Sequence, residues 1–150
     1  ALIGKKSEDL DERLGYYGER IVLLAQALGL RTCWVGISFS KRKGRFDIKE
    51  GEKLRGVISL GYGKYNGRQH KSKPVHEFTD CVEPFPTWFA DGLDAAMLAP
   101  TAVNQQKFRF IMQPDGVTAK ASWGFYTKMD LGIVKLHFEI GAGKENFKWV

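Results

Sequence analysis

The stretch APTAVNQQKFRF, residues 99–110, decides the fold, because it turns a helical pattern into an alternating one across a single polar turn. Upstream, residues 88–98 read as an apolar helix with Thr87 as its N-cap, and Pro100 stops it. Downstream, Phe108, Phe110 and Met112 alternate with more polar positions, the period of a strand over 107–112. Gln113-Pro114-Asp115-Gly116 is a turn sequence. Val117, Ala119 and Ala121 alternate beyond it, so 107–112 and 117–121 read as a β-hairpin. The junction itself presents Thr101, Asn104, Gln105 and Gln106. A helix-to-strand junction is a place where a fold aims hydroxyls, amides and backbone N–H groups at a ligand. Carboxamides suit the edge of an uncharged heterocycle, since one amide offers donors and an acceptor side by side. The plainer reading is a polar turn closed by its proline.

Toward the N-terminus, LIGKK (2–6) reads as the end of a strand and residues 4–14 as a polar loop entering a helix. The helix is expected over 16–28, with Ile21, Leu24, Ala25 and Leu28 on one face and Gly29 as C-terminal cap. Residues 32–37 are β-rich. A basic loop follows over 41–56, with a helical turn near 50–54, and then a short apolar run, 57–62, that suits a buried strand. Residues 63–86 lack periodicity, and a loop of that length is usually functional or mobile. Asp130 is a candidate N-cap for a last helix over 131–140, with Gly141 as C-cap. Helices and strands mix without strict βαβ alternation, so the fold class is α+β.

A chain of 150 residues is enough for one domain with a substantial core. Its 43% hydrophobic and 27% charged composition fits an ordinary globular protein, and no apolar run approaches a membrane span. No signal-peptide pattern opens it. Cys33 and Cys81 lack metal or redox spacing and read as free thiols in a reducing compartment, the cytoplasm, with a disulfide between them as the less favoured alternative. The net charge of +6 comes wholly from the segment between Lys41 and Lys73. Such a patch attracts a nucleotide phosphate, a nucleic acid or an acidic surface, or it is a pair of solvated loops. Only Phe46 and Tyr65 offer stacking within it, which argues against nucleic acid. His70, His76 and His137 are scattered and form no metal set. There is no P-loop, Rossmann glycine pattern or nucleophile elbow.

Several stretches together resemble one family. Pro100, Thr101, Ala102, Asn104 and the glutamines are similar to the proline–serine–x–x–asparagine–x–glutamine motif of the FMN-dependent nitroreductases, with Thr101 in place of the usual serine. Residues 15–36 resemble the family's helix and the loop that passes over the flavin, 56–64 the strand that follows, and 130–141 the closing helix of a subgroup in which one chain looks like two fused halves. The resemblance implies a nitroreductase-like fold, an antiparallel-rich sheet flanked by helices. It implies one domain over 1–150, partial because a sizeable portion precedes the equivalent of Ala1 in that subgroup, with the halves meeting near 65–86. It implies FMN as cofactor and NADH or NADPH as electron donor. The implied flavin contacts are Thr32, Cys33, Trp34, Val35 and Gly36 from the loop, and Pro100, Thr101, Ala102, Asn104 and Gln105 from the turn. Val35 or Gly36 would lie near flavin N5, with Gly36 permitting close approach.

In this chemistry the protein binds, orients and tunes the ring, so no catalytic side chain is expected. The partner is a small-molecule acceptor, a nitroaromatic or quinone, and the assembly is a monomeric pseudo-dimer or a homodimer. The family's arginine-rich phosphate motif is absent. Lys144, Lys148 or residues 41–45 are the candidate substitutes. That absence favours a second reading, a non-catalytic protein of the same fold that binds a flavin or another heterocycle. An anion- or nucleic-acid-binding module using residues 41–73 is a third.

Overall fold

In the computed structural model, which describes residues 1–40, 44–65 and 67–150, the chain opens with Leu2–Lys5 (β1), Leu10–Ala27 (α1), Arg31–Val35 (β2) and Glu52–Gly61 (β3). β3 is long enough to serve both other strands. Its first half pairs antiparallel with β1, Lys5 opposite Glu52 and Leu2 opposite Gly56. Its second half pairs antiparallel with β2, Val35 opposite Val57 and Arg31 opposite Gly61. The helical turn expected near 50–54 is therefore overturned: Glu52, Lys53 and Leu54 are drawn into the ladder by β1. The strand expected to be buried over 57–62 is only partly so, with Leu60 56% exposed and Tyr62 beyond its end.

α1 begins at Leu10, well before the expected residue 16, with Asp11 and Glu12 in its first turn, where carboxylates suit the helix dipole. Gly29 follows it with φ +78°, the left-handed conformation expected of a helix-terminating glycine. The predicted apolar face does not form the contact. Ile21, Leu24 and Leu28 are exposed, and of that set only Ala25 is buried. The face that packs contains Leu10, Gly15, Gly18 and Glu19 instead.

The C-terminal part contains Thr87–Ala96 (α2), Phe108–Gln113 (β4), Gly116–Ala121 (β5) and Thr127–Ala142 (α3). Thr87 opens α2 and does not cap it; Pro86 holds that position. α2 buries Phe89, Gly92, Leu93 and Ala96, a helical stripe at i, i+3, i+4, i+7. β4 and β5 form the expected hairpin, closed by Pro114-Asp115 between the paired Gln113 and Gly116. Single bridges extend it on both sides, Thr79 to Phe110 and Trp149 to Val117.

α3 is the spine. It lies against both α1 and α2 and buries Leu131, Ile133, Val134 and Phe138, among others. The ring of Phe138 stacks on Phe110 with centroids 4.4 Å apart and meets Phe89 edge-on at 5.6 Å. Phe78, Phe89, Phe110 and Phe138 are fully buried. Glycines set the helix spacing. A Cβ on Gly132 would lie 1.8 Å from the Glu12 carbonyl oxygen, and one on Gly15 2.0 Å from that of Met129. On the other flank, a Cβ on Gly141 would lie 2.3 Å from the Asp91 carbonyl oxygen. Gly141 is thus inside α3 as a packing position, and Gly143 is the C-cap. Asp130 likewise lies within the helix, whose N-cap is Tyr126.

Candidate functional site

The first two turns of α3, the end of β2 and the turn after α2 enclose a cleft of about 270 Å³. Ligand pockets span about 300–1,000 Å³, so the cleft is suited to a ring system and too small for a whole dinucleotide. One wall is residues 34–38 with Gly56, and the facing wall is residues 100–103. Phe125, Tyr126, Met129, Asp130 and Ile133 form the floor. Two segments far apart in the sequence are thereby brought face to face.

Of the residues expected at a site, Trp34, Val35, Gly36, Pro100, Thr101 and Ala102 line this cleft. Thr32 and Cys33 do not; they sit further down β2, opposite Leu60 and Ser59. Asn104 does not either. Its side-chain amide donates to the Lys71 carbonyl at 3.0 Å, and Gln106 donates to the same oxygen at 2.8 Å. Gln106 also accepts the Lys73 N–H at 3.0 Å, so both amides hold residues 71–73 against the turn. Gln105 stands one layer behind the floor. Its amide donates to the Asp130 carboxylate at 2.7 Å and to the Phe125 carbonyl at 2.9 Å. The Thr101 hydroxyl accepts the Gln106 N–H at 3.0 Å, which folds the turn back on itself.

That turn is strained. Val103, Asn104 and Gln106 have φ of +47°, +54° and +49°, and a β-branched residue such as Val103 is rarely found there. Each such residue costs about 1–3 kcal/mol and persists only where its surroundings hold it, which is typical of ligand-binding loops.

Three contributors escaped sequence reasoning. Tyr126 has φ +57° and donates its hydroxyl to the Gly36 carbonyl at 2.7 Å. A Cβ on Gly36 would lie 2.9 Å from Cζ of that ring, so this glycine makes room for Tyr126. Asp130 is 4% exposed. Its carboxylate accepts the Ala102 N–H at 3.0 Å as well as the Gln105 amide. Burial pushes this carboxyl up from its ordinary range, opposed by those two bonds. The readable signal was an acid set among Met129, Leu131, Ile133 and Val134, which cannot reach water and must find donors. Glu19, 1% exposed, accepts the Trp34 indole N–H at 3.0 Å and sits 2.9 Å from His137 Nε2. It fixes the Trp34 ring, which Gly18 admits.

The cleft's chemistry fits a planar, uncharged ring: apolar faces from Ile37, Val103, Phe125 and Met129, with the hydroxyls of Thr101 and Ser38 beside them. No lysine or arginine lines it among the described residues. α3 runs about 24 Å end to end. Its first turns line the cleft, and Lys144 lies beyond its last turn, on Tyr16 and Glu139 at 3.1 and 3.0 Å. Lys144 therefore stands at the other end of α3 from the cleft, paired with Glu139. Of the basic segment 41–45, Lys41, Arg42 and Lys43 lie outside the described residues.

The family model described as "Putative TM nitroreductase" matches residues 1–142. The chain belongs to this family. This nitroreductase-family chain also superposes, with a TM-score of 0.74, on the crystal structure of a putative nitroreductase from Thermotoga maritima. The two are 24% identical over 94% of this chain, which establishes a shared α+β fold. The chain spans 58% of the length of that protein. No curated protein matches it. Among the described residues of this family member, no helix is long and apolar enough to cross a membrane, and no cluster of side chains is disposed to hold a metal ion.

Proposed function

We propose that the cleft holds the flavin ring of FMN and that the protein, in its full assembly, is an NAD(P)H-dependent oxidoreductase acting on nitroaromatic, quinone or similar acceptors. The observation that carries this reading is the convergence of residues 34–36 and 100–102 on one cleft. Each segment resembles a flavin-contacting motif of the family on separate grounds. The bound flavin supplies the two-electron chemistry. The chain's own contribution is positional. Trp34, held by Glu19, and the strained turn at Val103 form opposing walls. Thr101 and Ser38 offer hydroxyls to the ring's edge, and Phe125, Met129 and Ile133 give the floor apolar surface for the ring to rest on. Rigid backbone groups in such a place orient a ring without themselves titrating. The basic segment 41–45, which begins three residues after the cleft-lining Ser38, is the source of charge for the phosphate in this proposal.

The exposed row Ile21, Leu24 and Leu28 on α1 favours an assembly that covers it, a homodimer or the second half of a pseudo-dimer, since large contiguous apolar patches mark interfaces. The free thiols Cys33 and Cys81 favour a reducing, cytoplasmic setting. A second reading, a non-catalytic binder of flavin or another heterocycle, is favoured by the lack of a lysine or arginine lining the cleft among the described residues. Titration with FMN followed by flavin fluorescence tests the shared part of both readings. NADH and NADPH oxidation with a nitroaromatic or quinone then separates them. Saturable binding with acceptor-dependent turnover supports the enzyme, saturable binding without turnover supports the binder, and no binding by the folded protein removes both.

A further inference from the structure

We infer that Asp130 makes the cleft favour an uncharged ring over an anionic one, and thereby lowers the reduction potential of a flavin held there. This rests on the flavin reading above. Among the described residues lining the cleft, Asp130 is the single charged side chain, in a protein whose net charge is +6. Its two partners, the Ala102 N–H and the Gln105 amide, are neutral. They satisfy the carboxylate oxygens without cancelling the charge. Arg55, whose carbonyl accepts from the Tyr126 hydroxyl, is committed to Asp11 through two bonds of 2.5 and 2.6 Å. Apart from the hydroxyls of Ser38, Thr101 and Tyr126, the rest of the described wall is backbone and aliphatic or aromatic side chain, which screens poorly.

A flavin ring is neutral when oxidised. Hydride from NADH or NADPH delivers two electrons and one proton and leaves the ring with one negative charge; a second proton from solvent removes it. A fixed carboxylate opposes the charged form and favours uptake of that second proton. With an effective dielectric of about 20 and a separation of about 6–10 Å, the repulsion corresponds to about 10- to 100-fold in relative affinity.

The test measures Kd for oxidised FMN and for dithionite-reduced FMN at mildly alkaline pH, where the reduced ring is anionic, with wild type and Asp130→Asn. The asparagine keeps an oxygen for the Ala102 N–H. Wild type is expected to bind the reduced form about 10- to 100-fold more weakly than the oxidised. The variant is expected to narrow that gap at least tenfold, which raises the two-electron potential by about 30 mV. Equal ratios in the two proteins overturn the inference. Absence of saturable binding of either form to wild type overturns the flavin reading itself and this inference with it. If Asp130→Asn does not fold, by far-ultraviolet circular dichroism, Asp130→Ser gives the same comparison.

Discussion

Gly132→Ala adds a single methyl group to α3 at the point where it crosses α1. The new Cβ would stand 1.8 Å from the Glu12 carbonyl oxygen and 2.7 Å from the Tyr16 nitrogen, where ordinary contact begins near 3.4 Å. Both neighbours are backbone atoms of a regular helix, so neither can rotate away. The helices must part by about 1.5 Å locally, and a radial gap of about 1 Å already forfeits up to half of each dispersion contact along the seam. Overpacking costs about 1–3 kcal/mol and occasionally more, while replacing a helical glycine by alanine returns about 1 kcal/mol of propensity. Because only backbone can yield here, the cost lies at the upper end, and a net loss of about 2 kcal/mol is expected. With a urea slope of about 2 kcal/mol/M, the unfolding midpoint falls by about 1 M. Gly61→Ala, at a position with no atom within 4 Å of the added Cβ, serves as the control and stays within about 0.5 kcal/mol of wild type. A midpoint for Gly132→Ala that is unchanged, or raised as propensity alone would dictate, refutes the close-approach account of this helix pair.

Phe138→Ala removes the ring that stacks on Phe110 and abuts Phe89, and should cost about 3–5 kcal/mol in urea unfolding. Asn104→Ala should leave FMN affinity within about threefold, because its amide faces Lys71 and not the cleft. Gln106→Ala frees the Lys73 N–H and should speed its hydrogen exchange by up to about tenfold. In alkali, burial and the Glu139 carboxylate raise the Tyr16 phenol above its ordinary 10.0, so the folded chain keeps a proton that the unfolded chain releases. Lys144 is raised above 10.5 by Glu139 and Tyr16, so its contribution is present below that pH and lost as pH rises through the folded value. Both effects make stability fall above about pH 10. Thermal melts across that range should show the fall, and Tyr16→Phe should flatten the phenol's share of it.

The C-terminal half was more legible in the sequence than the N-terminal half, for physical reasons that differ by element. The hairpin announced itself through Pro114-Asp115-Gly116 between two alternating runs, and α2 through its apolar repeat and Pro100. In α1, periodicity selected Ile21, Leu24 and Leu28, which face outward, because the packed face is carried by Gly15, Gly18 and Glu19. Glycine has no hydropathy signal, and a buried glutamate reads as a surface residue until its partners Trp34 and His137 are in place. Residues 52–54 carry no strong strand preference of their own and follow β1, a contact of long sequence separation. At the site, the two segments were identifiable by resemblance, but the direction of each amide was not. Left-handed backbone at Val103, Asn104 and Gln106 turns Asn104 away and leaves Ala102 and Thr101 at the opening. Asp130 was visible as an acid at a helix start, and its actual service, to a turn on another element, depends on α3 beginning at Thr127.

The hydrogen bond from Tyr126 to Gly36 also fixes a dimension. One end of this phenol is rooted where α3 begins, and the other rests on the backbone just past β2, so the ring spans the floor of the cleft from helix to strand like a strut. The width available to a ligand is then a side-chain length and not a loop conformation. Widening the opening does not require rebuilding either segment: a shorter residue at 126 removes the strut. A larger residue at 36 would push against the ring, 2.9 Å from the added Cβ, and displace Tyr126 from its place. Bore size in this protein is thus adjustable at two positions that touch each other, while the residues that give the cavity its charge and its polar edge stay where they are.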